Sequence, residues 1–293
     1  MNTDFVGAGT ALITPFKNNG EIDFVALGKI VDRQIVGGID YLVMLGTTAE
    51  TPTLSDEEKK DIVDFIKERT GGKIPLVAGM GGNCTKSVLA KMESFDCSGI
   101  SAFLSVTPYY NKPTQEGLFR HYSELGKHSP LPVILYNVPS RTGANLSAET
   151  TVRLAAESEK FVAVKEAAGS IQQVSQIIKH APPHFKIISG DDIMALPFMS
   201  LGGHGIISVI ANALPQKLSS MVHLALKGDF AEAAKIHIDL TELLRLQFAD
   251  GNPAGVKAML LQLGIIENVL RLPLVAAGDA TVRKIAEELV KLA

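Results

Sequence analysis

The chain has 293 residues, 46% of them hydrophobic and 20% charged, with a formal net charge of −3 and a pI near 6.2. That is enough apolar material for one large core, and barrels of this length commonly form a single domain. Lys and Arg are scattered rather than clustered, which argues against nucleic-acid and anionic-membrane partners.

Met1–Phe16 lacks a basic n-region, a longer apolar h-region and a small-residue cleavage site, so no signal peptide is expected there. No apolar run approaches the roughly 18–20 residues that span a bilayer. From that start, apolar β-rich runs alternate with amphipathic stretches. The predicted strands are Gly9–Thr14, Tyr41–Leu45, Pro75–Gly79, Ala102–Val106, Val133–Asn137, Phe161–Lys165, Lys186–Ser189 and Ile206–Ile210. Their near-continuous apolar character is that of parallel strands buried on both faces.

The helices between them have readable starts. Asp23 caps the first, Ser55 with Glu58 forms a capping box, and Thr114 caps a helix reaching His128 with Gly126 near its end. Ser147 caps the helix through Glu157, and Pro215 opens the stretch to Lys227. Eight strand–helix units predict a closed (β/α)8 barrel. The competing doubly wound sheet usually carries fewer strands and often a Gly-x-Gly-x-x-Gly turn, which neither Thr14-Pro15-Phe16 nor Gly46-Thr47-Thr48 supplies. After Lys227 the strands stop. Phe230–Phe248, Pro253–Leu263 and Thr281–Leu292 read as helices, with Ile236, Leu240, Leu243 and Leu244 on one face. The expected organisation is a catalytic barrel over 1–227 and a C-terminal helical extension over 228–293 packed on it.

Cys84 and Cys97 fall in or beside one predicted helix, too far along it to pair, and read as reduced thiols in a cytoplasmic protein. The histidines never approach metal-ligand spacing, so neither metal nor cofactor is expected.

In such barrels the active site lies at the C-terminal ends of the strands. Those ends carry Gly46-Thr47-Thr48-Ala49-Glu50, Thr107-Pro108-Tyr109-Tyr110-Asn111, Tyr136-Asn137, Ser140-Arg141-Thr142-Gly143, Lys165-Glu166 and Gly190-Asp191-Asp192. Lys165 closes an apolar strand, so its amine points into the barrel mouth. It has two readings: an ion pair with Glu166 or Asp191, or a desolvated amine that attacks a ketone carbonyl. Tyr136 is either a core tyrosine bonded to backbone or a proton shuttle beside that amine. Thr47 and Thr48 either cap the next turn or, with exposed N–H groups, receive a small carboxylate. Arg141 is either a solvated charge or a bidentate carboxylate clamp. Asp191 and Asp192 are expected to cap a helix at Ile193.

From about Gly7 to the C-terminus the sequence resembles the dihydrodipicolinate synthase branch of the pyruvate-dependent aldolases, which include N-acetylneuraminate lyase. The resemblance rests on Gly9-Thr10-Ala11-Leu12-Ile13-Thr14-Pro15-Phe16, Gly46-Thr47-Thr48-Ala49-Glu50, Tyr136-Asn137-Val138-Pro139-Ser140-Arg141-Thr142-Gly143 and Lys165-Glu166-Ala167. Ser189-Gly190-Asp191-Asp192 and Gly203-His204-Gly205-Ile206-Ile207-Ser208 continue it. It implies a metal-free mechanism in which Lys165 forms an imine with pyruvate, whose enamine attacks L-aspartate 4-semialdehyde. Tyr136 would move protons, with Thr47 and with Tyr110 from a neighbouring subunit completing its relay. Thr48 and the main chain at Gly190 and Ile207 would line the pyruvate site, and Arg141 would hold the semialdehyde carboxylate. A homotetramer of paired dimers is the usual assembly implied. Arg141 favours the synthase over a sister aldolase that cleaves a keto-deoxy sugar acid. A barrel that only binds a 2-oxo acid would have no need of the relay.

The resemblance departs at one regulatory position. Lysine-inhibited relatives carry glutamate where this chain has Ser87, and histidine where it has Asp56 or Lys59, while Asn83 and Tyr109 remain. Losing one partner of a buried charge pair commonly costs about 2–5 kcal/mol. Weak or absent inhibition by L-lysine is therefore expected, and half-inhibition at submillimolar lysine would contradict it.

Overall fold

The computed structural model describes residues 4–292. Met1–Thr3, which begin the stretch read for a signal peptide and the expected barrel unit, and Ala293, the last of the extension, lie outside the described residues. Eight strands run β1 (Gly7–Ala11), β2 (Tyr41–Met44), β3 (Leu76–Gly79), β4 (Ala102–Val106), β5 (Val133–Asn137), β6 (Phe161–Glu166), β7 (Lys186–Ser189) and β8 (Gly205–Ser208). They pair in sequence order, all parallel, and β8 closes on β1. Closure rules out the doubly wound alternative, which would leave two open sheet edges. At the seam Gly7 faces Gly205. Gly205 has φ 138°, and a Cβ there would lie 2.0 Å from the Gly7 carbonyl oxygen, so only glycine lets the barrel shut.

The helices are α1 (Phe24–Val36), α2 (Asp56–Thr70), α3 (Thr85–Ser94), α4 (Gln115–His128), the single turn α5 (Pro139–Thr142), α6 (Ala148–Glu157), α7 (Ile171–His180), α8 (Ala195–Ser200) and α9 (Pro215–Leu226). The extension adds α10 (Phe230–Leu246), α11 (Ala254–Gln262) and α12 (Asp279–Lys291). None among the described residues is long and apolar enough to cross a membrane. The caps form as the sequence predicts. Asp23 accepts from the Ala26 N–H at 2.9 Å, Ser55 and Glu58 close their reciprocal box, and Thr114 and Ser147 accept from Gly117 and Thr150. Cys84 and Cys97 are free thiols.

Successive strand residues turn to opposite faces. Val43, Val77, Leu104, Ile134, Ala163, Ile188 and Ile207 pack together inside the barrel. Leu42, Ala78, Phe103, Leu135, Val164, Ile187 and Ile206 pack outward against the helices.

Two strand ends differ from expectation because distant side chains take over their backbone groups. Beyond Ala11, the Ile13 N–H donates to Asn212 Oδ1 at 3.0 Å and Thr14 Oγ1 donates to the Ala49 carbonyl, so β1 stops short of Thr14. Beyond Ser208, the Val209 N–H donates to Asp192 Oδ2 at 2.9 Å, and Ile210–Asn212 form a 3-10 turn. Asp192 also accepts from Ser208 Oγ and from Gln247 Nε2. The expected cap at Ile193 is thus half corrected: Asp191 accepts from the Ile193 N–H at 3.2 Å, but Asp192 braces β8, and α8 begins only at Ala195.

The extension is fastened to the mouth of the barrel by a buried ion pair. Lys257 on α11 and Glu50, after β2, are both fully buried and bonded to each other. Lys257 also donates to the Val269 carbonyl at 2.8 Å and lies 4.3 Å from the centre of the Phe16 ring. Burial lowers its pKa to about 8, against the opposing pull of Glu50. The other Glu50 oxygen accepts from the Arg271 N–H, and Arg271 in turn pairs with Glu58. Removing one member of such a pair strands the other charge in the interior. Lys257→Met should lower unfolding free energy by about 3–5 kcal/mol in urea titrations, and adding Glu50→Gln should recover much of it. An unchanged midpoint in the single variant would contradict this.

His121, on α4, shares a 2.9 Å hydrogen bond with Thr85 Oγ1, while its Nε2 is buried with no partner among the described residues. Burial holds its pKa at about 4, down from 6.5. The unfolded chain therefore binds the extra proton first as pH falls, and stability is lost between about pH 6.5 and about pH 4. The full effect is on the order of 3 kcal/mol. His121→Gln should flatten stability across that window in denaturant titrations; an unaltered slope would show that His121 is not the group responsible.

Candidate active site

The site is set by the register of β4 to β7. Tyr136 lies opposite Lys165 across β5 and β6, and Lys165 lies opposite Ile188 on β7. Strand alternation turns Tyr136 and Lys165 inward, onto the layer of Ile134, Ala163 and Ile188, at the end of the barrel from which the strand-to-helix loops rise. Lys165 is 5% exposed and Tyr136 6%. The Lys165 Nζ sits 4.4 Å from the centre of the Tyr136 ring, within cation–π range.

Glu166 and Asn137, one residue further along each strand, face outward. Glu166 accepts from Asn137 Nδ2 at 3.0 Å, Gln173 Nε2 at 2.9 Å and the Ala168 N–H at 2.7 Å. Asn137 Oδ1 receives the Leu146 N–H. Burial raises the Glu166 pKa and these donors partly restore it. Asp191 turns to its own loop, and burial raises its pKa too. Neither carboxylate bonds Lys165, so the ion-pair reading of that lysine fails among the described residues.

Gly190, at the end of β7, lies against the stem of Lys165. A Cβ at Gly190 would stand 3.1 Å from both Cγ and Cε of Lys165 and 2.8 Å from the Ala167 Cβ. Glycine here lets the backbone approach the Lys165 stem where a side chain would displace it. Ile207 lies on β8 within the same interior cluster. The structure therefore brings Lys165, Tyr136, Gly190 and Ile207 to one place.

The turn Gly46–Glu50 adds Thr47 and Thr48. It is a 3-10 turn, and the next one, Thr51–Thr53, has no side-chain cap, so the hydroxyls of Thr47 and Thr48 do not cap it. Thr48 is buried and its Oγ1 accepts from Asn252 Nδ2 at 3.0 Å. Leu45 and Glu50 flank the turn with φ 54° each, and Tyr110 has φ 72°. Such angles are uncommon outside glycine, and three of the four non-glycine residues that adopt them among the described residues lie in loops of this mouth.

Arg141 and Tyr110 stand apart from that cluster. Arg141 is exposed on α5 and pairs with no carboxylate among the described residues. Tyr110 is 85% exposed and touches neither Tyr136 nor Thr47 through a hydrogen bond. Sequence reasoning passed over Asn252 and Lys257, because they lie on a segment legible only as packing. Their one visible signal is polarity, Asn252 just before an apolar helical stretch and Lys257 within it, at a distance of 204 and 207 residues from their partners. No group of three or more His, Cys, Asp or Glu among the described residues could hold a metal ion.

Known proteins share this fold along nearly the whole chain. The 4-hydroxy-tetrahydrodipicolinate synthase of Parabacteroides distasonis is 55% identical over 286 residues, covering 98% of this chain and 96% of its own. The dihydrodipicolinate synthase of Thermotoga maritima superposes with a TM-score of 0.96 at 38% identity, covering 98% of both chains. The chloride-inhibited dihydrodipicolinate synthase of Acinetobacter baumannii, complexed with pyruvate, superposes with a TM-score of 0.94 at 36% identity, covering 97% of this chain and 98% of that one. With residues 4–292 matching the family model as well, the closed barrel and its lysine-bearing sixth strand belong to a member of the dihydrodipicolinate synthetase family.

Proposed function

We propose that this chain is a lyase that condenses pyruvate with L-aspartate 4-semialdehyde to give 4-hydroxy-tetrahydrodipicolinate, in the route to diaminopimelate and lysine. The observation that carries the reading is the Lys165 amine: buried at the rim of β6, stacked on Tyr136 and joined to no carboxylate among the described residues. An amine in that setting is free to add to a ketone.

Addition of Lys165 Nζ to the pyruvate carbonyl gives a carbinolamine, which loses water to form the imine. Loss of a methyl proton makes the enamine, whose carbon bonds to the aldehyde carbon of the semialdehyde. The substrate's own amine then displaces Lys165 by transimination, closing the ring and restoring the enzyme. Each step moves a proton at an atom near the Tyr136 phenol, which serves as donor and acceptor. Thr47 and Tyr110 complete the relay. The exposure of Tyr110 at a strained φ supports its reaching a second subunit's site, in a homo-oligomer built as a dimer of dimers. Thr48 and the main chain at Gly190 and Ile207 receive the pyruvate carboxylate, and unpaired Arg141 receives that of the semialdehyde. Arg141, together with the likeness to 4-hydroxy-tetrahydrodipicolinate synthases, favours this reaction over cleavage of a sugar acid. A cytoplasmic site of action and the division into a barrel and a packed extension after Lys227 complete the reading.

Pyruvate with borohydride should add a reduced pyruvyl group to the chain's mass, and Lys165→Ala should abolish it. Tyr136→Phe should slow turnover by about a hundredfold while changing pyruvate KM little. Arg141→Ala should raise the semialdehyde KM by about 10–100-fold, the worth of a charge-assisted hydrogen bond. A wild-type chain that takes up no adduct would refute the scheme at its first step.

A further inference from the structure

Asn252 belongs to the extension, between α10 and α11, yet its side chain reaches the turn after β2 and is 8% exposed. Its Nδ2 donates to Thr48 Oγ1 at 3.0 Å. Asn252 is the one hydrogen-bond partner of the Thr48 hydroxyl among the described residues, and Asn252 Oδ1 has none. The carboxamide is therefore committed to Thr48.

That commitment has a chemical direction. A carboxamide N–H is a donor only, so the Thr48 oxygen must accept it, and the threonine keeps its own proton to give away elsewhere. A hydroxyl prepared in this way is a donor for an anion. Left alone, it would rotate between donating and accepting, and part of its benefit to an incoming carboxylate would be lost in ordering it. The arrangement is also held from both sides. Five residues after Asn252, Lys257 bonds Glu50 of the same turn, and Thr14 Oγ1 donates to the Ala49 carbonyl at 2.8 Å.

We infer that Asn252 is a positioning residue for the pyruvate carboxylate, fixing the Thr48 hydroxyl as its hydrogen-bond donor. The extension is then part of the recognition of 2-oxo acids, although it supplies no group that touches one. This rests on the proposed function, in which Thr48 lines the pyruvate site.

The test is a double-mutant cycle of Asn252→Asp and Thr48→Val on the full chain, read as pyruvate KM, semialdehyde KM and borohydride-trapped adduct. A carboxylate at position 252 accepts from Thr48 instead of donating to it, and so takes the proton meant for the substrate. Asn252→Asp alone should raise pyruvate KM about tenfold or more, leave semialdehyde KM within about threefold, and still permit full adduct at saturating pyruvate. In the Thr48→Val background the same change should add less than about threefold, because its route of action is gone. Should Asn252→Asp fail to fold by thermal melting, Asn252→Ser takes its place in the cycle. An unchanged pyruvate KM, or equal effects in both backgrounds, would overturn the role of Asn252 while wild-type adduct formation leaves the proposed function standing. Absence of the wild-type adduct would overturn both.

Discussion

A β-strand sends adjacent side chains to opposite faces, and at the end of β6 that alternation falls between a lysine and a glutamate. Lys165 turns into the barrel and Glu166 turns out toward α7, so two opposite charges joined by one peptide bond do not meet. The same division on β5 sends Tyr136 inward and Asn137 outward, where Asn137 bonds Glu166. One polar layer thus clamps β5 to β6 from behind, and Tyr136 and Lys165 stand on the front of the same clamp. Satisfying Glu166 with amides rather than with a cation leaves Lys165 without a competitor inside and without an electrostatic anchor outside.

The extension does comparable work on the other wall. The turn after β2 contains two left-handed non-glycine residues, Leu45 and Glu50, a conformation that costs on the order of 1 kcal/mol or more each. Glu50 is held there by Lys257 and by the Arg271 N–H, and Phe16 is flanked by both cations, with Arg271 4.4 Å from its ring centre. Asp192 plays the matching part on the far side, tying the loop after β7 to β8 and to Gln247 of the extension. The helices after α9 therefore brace the loops that follow β2, β7 and β8. The first two of these loops carry Thr48 and Gly190, and the third leaves β8 just after Ile207 and Ser208.

How much of this can be read from the chain depends on whether the cause is local. β2 to β7 match expectation closely, because a short apolar run between a cap and a turn is a local signal. So are the Ser55–Glu58 box and the Thr114 and Ser147 caps. β1 and β8 end early because Asn212 and Asp192 intercept their backbone, and nothing near Ile13 or Val209 announces those partners. Asp192 reads as a helix cap by its neighbours in sequence, but burial and three distant donors decide its place. In the site, Lys165, Tyr136 and Gly190 are legible because barrel geometry puts strand ends together. Asn252 and Lys257 are not, because a polar residue in a turn or on a helix is ordinarily solvated, and only the folded chain shows that these two are buried against the mouth.

The two lysines of the barrel mouth illustrate what a low-dielectric interior does with a charge. Lys257 is fully buried, and there the cost of desolvation is met by a carboxylate, a carbonyl and an aromatic face, so its amine is fixed and its electron pair is occupied. Lys165 has the aromatic face alone, with its stem packed on Gly190. Giving it the carboxylate as well would make it a second Lys257, better anchored and unable to attack a carbonyl. The difference between these two lysines is therefore the orientation of one neighbouring glutamate, and strand alternation rather than distance along the chain enforces it.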